Sequence, residues 1–171
     1  MASIFINNAF ILGSVTNNGS ETVANGCVRM STRPETDTST AQFSVDGDVA
    51  IITGSSSGIG KGIAKRLAAD GVDVVVCLRE QENVDPIAEA INESELPGEA
   101  LALECDVTDR EAAEALVEAT VERFGGLDML VNNAGASFMA DFDDISPNGW
   151  KTIVDINLHG IYHCTQRQKR T

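Results

Sequence analysis

The sequence predicts an α/β protein built on a doubly wound parallel sheet. Three observations predict it. Short apolar runs (Val49–Ile52, Val72–Leu78, Ala100–Val107 and Leu127–Val131) recur along the chain. Segments of helical period separate them, as a sheet covered on both faces requires. The first run leads into a glycine-rich turn, Thr53-Gly54-Ser55-Ser56-Ser57-Gly58-Ile59-Gly60, that opens a helix.

The stretch before these elements differs in kind. Residues 1–46 carry two short apolar groups, Ile4-Phe5-Ile6 and Phe10-Ile11-Leu12, interrupted by asparagines. No basic residue precedes them, which argues against a secretory signal, and the run is too short to span a membrane. Asn17 to Ser44 is rich in Ser, Thr, Asn and Gly and shows no sustained period, so residues 1–46 are expected to be a disordered extension. Met30 begins an ordinary polar start, Met-Ser-Thr-Arg-Pro-Glu, and residues 1–29 are expected to be foreign to the natural protein.

Residues 47–165 read as the folded domain. In the glycine turn, Gly54 suits a tight bend, Gly58 lets backbone approach a pyrophosphate, and Gly60 lets the helix pack on the strand. A P-loop is excluded, because Gly60-Lys61 is followed by Gly62 and position 55 is Ser. The following helix shows an apolar face at Ile63, Ala64, Leu67 and Ala68 and ends at Asp70-Gly71. After the second strand, Val84 to Asn92 is helical, with Ile87, Ala88 and Ile91 inward. Leu96-Pro97-Gly98 turns into the third strand, which closes on Cys105-Asp106-Val107. Thr108 or Asp109 caps the next helix, whose apolar positions are Ala112, Ala115, Leu116, Ala119 and Val121. Phe124-Gly125-Gly126 ends it, the fourth strand leads into Asn132-Asn133-Ala134-Gly135, and a last helix runs from about Pro147 to His163. The expected strand order is 3-2-1-4, with the ligand crevice between strands one and four.

Composition narrows the partners. Asp and Glu number 26 against 12 Lys and Arg, a net charge of −14. Such a surface argues against nucleic acid and anionic membranes. It fits either adaptation to high salt or an ordinary acidic cytoplasmic protein. The cysteines Cys27, Cys77, Cys105 and Cys164 are scattered, and with only two His a zinc site is not expected. Buried thiols in a reducing compartment are the expected state.

Thr53-Gly-x-x-x-Gly-Ile-Gly60, Cys105-Asp106-Val107, Asn132-Asn-Ala-Gly135 and Asn157 within Val154-Asp-Ile-Asn-Leu-His-Gly160 occur together and in order. In this the chain resembles the short-chain dehydrogenase/reductase family over about Val45 to Thr165. It is most like members that reduce 3-oxoacyl-carrier protein or oxidise glucose. The resemblance implies a Rossmann-type domain and oxidoreductase chemistry, with a hydride passing between a nicotinamide cofactor and a small carbonyl or alcohol substrate. It also implies homo-oligomers among full-length relatives. Gly54, Ser56, Ser57, Gly58, Ile59 and Gly60 would hold the pyrophosphate, and Asp106 the adenine amino group, with Val107 beside the ring. Asn132, Ala134 and Gly135 would line the ribose side, and Asn157 would hold a water in the proton relay. Each polar residue also has a plain structural reading: Asp106 as a helix cap, Asn132 and Asn133 as turn residues, Asn157 as a polar spot in a kinked helix.

Cofactor choice turns on Cys77-Leu78-Arg79-Glu80 at the end of strand two. Leu78 stands where an NAD-selecting acid is expected, and Arg79 can meet a 2′-phosphate, so NADP is favoured. Glu80 keeps NAD open, and Ser57 before Gly58 supplies no second cation.

The chemistry departs from the family. The resemblance calls for a Ser and a Tyr followed four residues later by Lys, but Tyr162 is followed by Gln166 and is not expected to act. The last residues, 166–171, form a basic tail that abandons the apolar face of Ile153, Ile156, Ile161 and Tyr162. This reads as a domain cut off after its fourth strand and following helix. It leaves strand four an open edge and predicts an inactive product of poor solubility. Two functional classes follow: an oxidoreductase whose catalytic half is absent, or a non-catalytic dinucleotide-binding fragment.

Overall fold

The computed structural model describes residues 2–6, 9–13 and 44–168. The elements run β1 (Ala2–Ile6), β2 (Ala9–Gly13), β3 (Val49–Thr53), α1 (Gly58–Ala69), β4 (Asp73–Leu78), α2 (Asp85–Asn92), β5 (Ala100–Glu104), α3 (Arg110–Phe124), β6 (Met129–Asn132), α4 (Pro147–Val154) and α5 (Gly160–Gln168). A single π turn, Asp155–His159, joins α4 to α5.

The sheet order is β1-β2-β6-β3-β4-β5. Its parallel part, β5-β4-β3-β6, is the expected 3-2-1-4 arrangement. β3 pairs β4 from Val49↔Asp73 to Thr53↔Cys77 and β6 from Ala50↔Met129 to Ile52↔Val131. β3 is therefore central, and all five of its residues are buried. Alternate residues feed two cores. Ala50, Ile52, Val74, Val76 and Val131 pack with Ala64 and Ala68 of α1 and Ile87, Ala88 and Ile91 of α2. Ile51, Val75, Cys77 and Leu130 pack with Ala113, Leu116 and Val117 of α3 and Cys164 of α5. Burial of both faces is why the strands read as unbroken apolar runs rather than alternating ones.

Several expectations are corrected. Residues 1–46 are not unstructured throughout: β1 and β2 form an antiparallel hairpin, Ala2↔Gly13 to Ile6↔Ala9. The stretch from Asn17 to Ser44 lies outside the described residues, Ser44 excepted. The edge of strand four is not open, because β2 pairs β6 antiparallel from Phe10↔Asn132 to Gly13↔Met129. The third strand stops at Glu104, so Cys105-Asp106-Val107 is loop. The buried face of α3 is Ala113, Leu116, Val117 and Thr120, one step round from the face expected, while Ala115 is exposed. Those four positions fall at i, i+3, i+4 and i+7, the stripe a helix packs on a sheet. The last helix runs past the expected end at His163, through Gln168.

Candidate functional site

The β3–α1 turn and the segments that follow β4, β5 and β6 enclose a crevice of about 340 Å³. One wall is the glycine turn. Gly54 has φ +65°, and a Cβ there would lie 2.8 Å from Ala134 Cα. A Cβ at Gly60 would lie 2.5 Å from Asn133 Nδ2 and 2.6 Å from Gly54 O. Both glycines thus permit contact between the two loops. Gly58 has φ +55° with open space where a Cβ would stand, as a backbone meant to face a ligand requires. Ser55 is buried and ties the turn to the sheet: its Oγ donates to Ile52 O (2.8 Å) and accepts from Cys77 N (2.9 Å). Ser57, the N-cap of α1, makes no side-chain cap bond, and the first turn of α1 holds no acid. By contrast Asp109 caps α3 by accepting from Glu111 N, and Ser146 caps α4 by accepting from Gly149 N. The positive end of α1 is left for another anion.

The second wall follows β6. Asn133 Nδ2 donates to Thr53 O (3.0 Å) and Gly54 O (2.9 Å), binding the two loops directly. Thr53 Oγ1 accepts from Asn133 N and Ala134 N, each at 3.0 Å, and lies 3.3 Å from Val131 O, to which it donates. Ala134, Gly135 and Ala136 continue the lining. Asn132 is carried elsewhere. It is 2 % exposed, and its Nδ2 donates to Thr165 Oγ1 (3.3 Å), fastening α5 to the sheet. Of the asparagine pair it is Asn133, not Asn132, that reaches the crevice.

The far end is formed by Leu78, the last residue of β4, with Arg79 after it, and by Asp106 and Val107 beyond β5. Arg79 lies 3.7 Å from the Glu80 carboxylate, and both side chains are largely exposed. Asp106 Oδ1 accepts from Thr108 N (2.9 Å) and Thr108 Oγ1 (2.7 Å), an Asx turn that aims the loop, while the helix-cap role falls to Asp109. Among the lining residues Arg79 is the one cation and Asp106 the one acid.

Asn157 sits in the π turn. Its Nδ2 donates to Ala136 O (2.7 Å) and Ile153 O (2.9 Å), and its Oδ1 accepts from Ala136 N (3.3 Å). The extra residue of a π turn swings the amide onto the β6 loop, a common use of such bulges at sites. Asn157 therefore fixes Ala136, and Ile156 beside it lines the crevice. Ile59 is half exposed, Gly60 is buried against Asn133 and Gly54, and neither they nor Gly58 are among the lining residues. Tyr162 is 56 % exposed and outside the lining, and its hydroxyl accepts from Gln166 Nε2 (2.7 Å).

Sequence reasoning missed Ser55, Cys105, Ala136 and Ile156. Ser55 and Ala136 act through backbone partners that no motif spacing reveals. Cys77, Cys105 and Cys164 are buried free thiols; Cys27 lies outside the described residues. Burial raises the Cys77 thiol well above its ordinary range, pushes Cys105 up to about 12 and Cys164 to about 11. Among the described residues no cluster of three or more His, Cys, Asp or Glu could hold a metal ion. No described helix is long and apolar enough to cross a membrane.

A family model for short chain dehydrogenases matches residues 48–170. The chain belongs to the short-chain dehydrogenase family. It is 41 % identical over 123 residues to an uncharacterized oxidoreductase of Methylorubrum extorquens, covering 71 % of this chain and 49 % of that protein. It is 40 % identical over 119 residues to a peroxisomal 2,4-dienoyl-CoA reductase of Arabidopsis thaliana, covering 70 % and 39 %. A solved 3-ketoacyl-(acyl-carrier-protein) reductase from Brucella melitensis, complexed with NADH, superposes with TM-score 0.67 at 36 % identity, covering 72 % and 49 %. The chain spans about half the length of most of these short-chain dehydrogenases. The Rossmann-type sheet is the part they share.

Proposed function

We propose that the crevice binds a nicotinamide dinucleotide, and that the chain supplies the nucleotide-binding half of an oxidoreductase acting on a small carbonyl or alcohol. The observation that carries this reading is the interlock of the two loops. Asn133 on Thr53 O and Gly54 O, with Ala134 seated against Gly54, forms a cleft at the sheet's switch point below an uncapped helix N-terminus. The donors present fit the group. The first-turn N–H groups of α1 with Ser56 and Ser57 would hold the pyrophosphate. Asp106 and Val107 would hold the adenine, and Ala134 and Gly135 the ribose. When bound, the nicotinamide supplies a hydride carrier.

Arg79, with Leu78 in place of an acid, favours NADP over NAD; its contact with Glu80 weakens but does not reverse that preference. Three buried thiols among the described residues support a reducing, cytoplasmic setting. A second reading, dinucleotide binding without catalysis, is favoured by Tyr162. The chain's single tyrosine is bonded to Gln166 and stands outside the crevice, so it takes no part in proton transfer there.

Calorimetric titration with NADPH and NADH tests both statements. NADPH is expected to bind at least about fivefold tighter, with the difference lost in Arg79→Ala. Absence of saturable binding by either nucleotide would overturn the assignment, and tighter NADH binding would reverse the preference.

A further inference from the structure

We propose that residues 2–13 are a strand donor that closes the β6 edge within the same chain, and that without it this edge pairs with a second copy. Every parallel neighbour in the sheet is delivered by a helical crossover: β3 to β4 through α1, β4 to β5 through α2, β5 to β6 through α3. The β1–β2 pair instead meets the parallel sheet antiparallel, through β2 on β6. Four backbone register pairs join it to the sheet, Phe10↔Asn132 to Gly13↔Met129.

A two-stranded hairpin is marginal by itself and gains stability by adding to a sheet. The β1–β2 pair and the β6 edge thus depend on each other. β6 without β2 would present a row of unpaired N–H and C=O groups beside Leu130 and Val131, both buried, which is the template on which another strand adds. A second copy carries the same edge, so a two-fold antiparallel pairing of β6 with β6 is geometrically available. The hairpin is the plug that prevents it.

Residue-resolved amide hydrogen exchange on the full chain tests this without any nucleotide. Amides of Ala9–Gly13, and those of Met129–Asn132 directed away from β3, are expected to exchange at least roughly tenfold slower than an unstructured peptide. Random-coil exchange across Ala9–Gly13 in the full chain would overturn the proposal whatever any variant does. Removing residues 1–16 is expected to speed exchange on the outer side of β6 while Ala50–Ile52 and Val74–Val76 stay slow, and to add a concentration-dependent self-association not seen with the full chain. A synthetic peptide of residues 1–16 in excess reverses both effects. The paired change Ile11→Pro with Leu12→Pro in the full chain does the same as the deletion, since adjacent N–H groups point to opposite neighbours. Outer β6 amides and oligomeric state unchanged by either alteration would refute the donor role.

Discussion

At the scale of single residues, two glycines of one helix make opposite predictions. Gly60→Ala forces a methyl against Asn133 Nδ2 and Gly54 O and is expected to cost about 2 kcal/mol or more in urea unfolding. Gly62, in the same helix, has nothing within 4 Å of an added Cβ. Gly62→Ala is expected to stabilise by about 0.5–1 kcal/mol. Asn133→Ala leaves two carbonyls without their donor; a loss of about 1–3 kcal/mol is expected, with weaker nucleotide binding by calorimetry. Asn132→Ala should loosen α5 and leave nucleotide affinity nearly unchanged, because its amide faces Thr165. The buried thiols set a pH limit. Cys105 and Cys164 hold their protons more tightly folded than unfolded, so their contribution is complete below the ordinary thiol range near pH 9. It is lost as pH rises toward 11 and 12. Thermal midpoints are expected to fall across that window, and a Cys105→Ala, Cys164→Ala double variant to fall less steeply. The positions of Gly54 and Asp106 in the crevice lining were legible because a motif places them by spacing. The Asn132/Asn133 assignment was not, since which of two adjacent residues faces a crevice depends on where β6 ends and its chain turns.

At the scale of elements, α1 is the informative helix. Ser57→Asp would cap its N-terminus and put a carboxylate where a phosphate is expected. Stability should rise by about 0.5–1 kcal/mol while dinucleotide affinity drops, measured by urea unfolding and calorimetry. A rise in both would remove the helix terminus from the site. Strands and helices of the parallel part were readable because burial on both faces leaves uninterrupted apolar runs, with helical period between them. The α3 face was misread because alanines fill both its buried and its exposed sides, so apolarity alone does not mark the stripe. The pairing of β1 with β2 is not legible because two short apolar runs in a polar, aperiodic stretch carry no signal that they pair.

At the scale of the whole molecule, charge dominates. With a net −14, self-repulsion opposes the compact state, and raising KCl from about 0.1 M to about 2 M is expected to raise the thermal midpoint. A flat or falling midpoint would remove repulsion as a determinant. The strand order was legible because crossover helices leave few topologies open; the antiparallel closure at β6 was not, because no local pattern announces a partner distant in sequence. Thr53 has the widest consequence. One hydroxyl receives two N–H groups from the far loop and reaches back toward Val131 O. Neither lip of the cleft can therefore breathe alone: a guest that loosens one must loosen both, and one that tightens either will quiet the pair together.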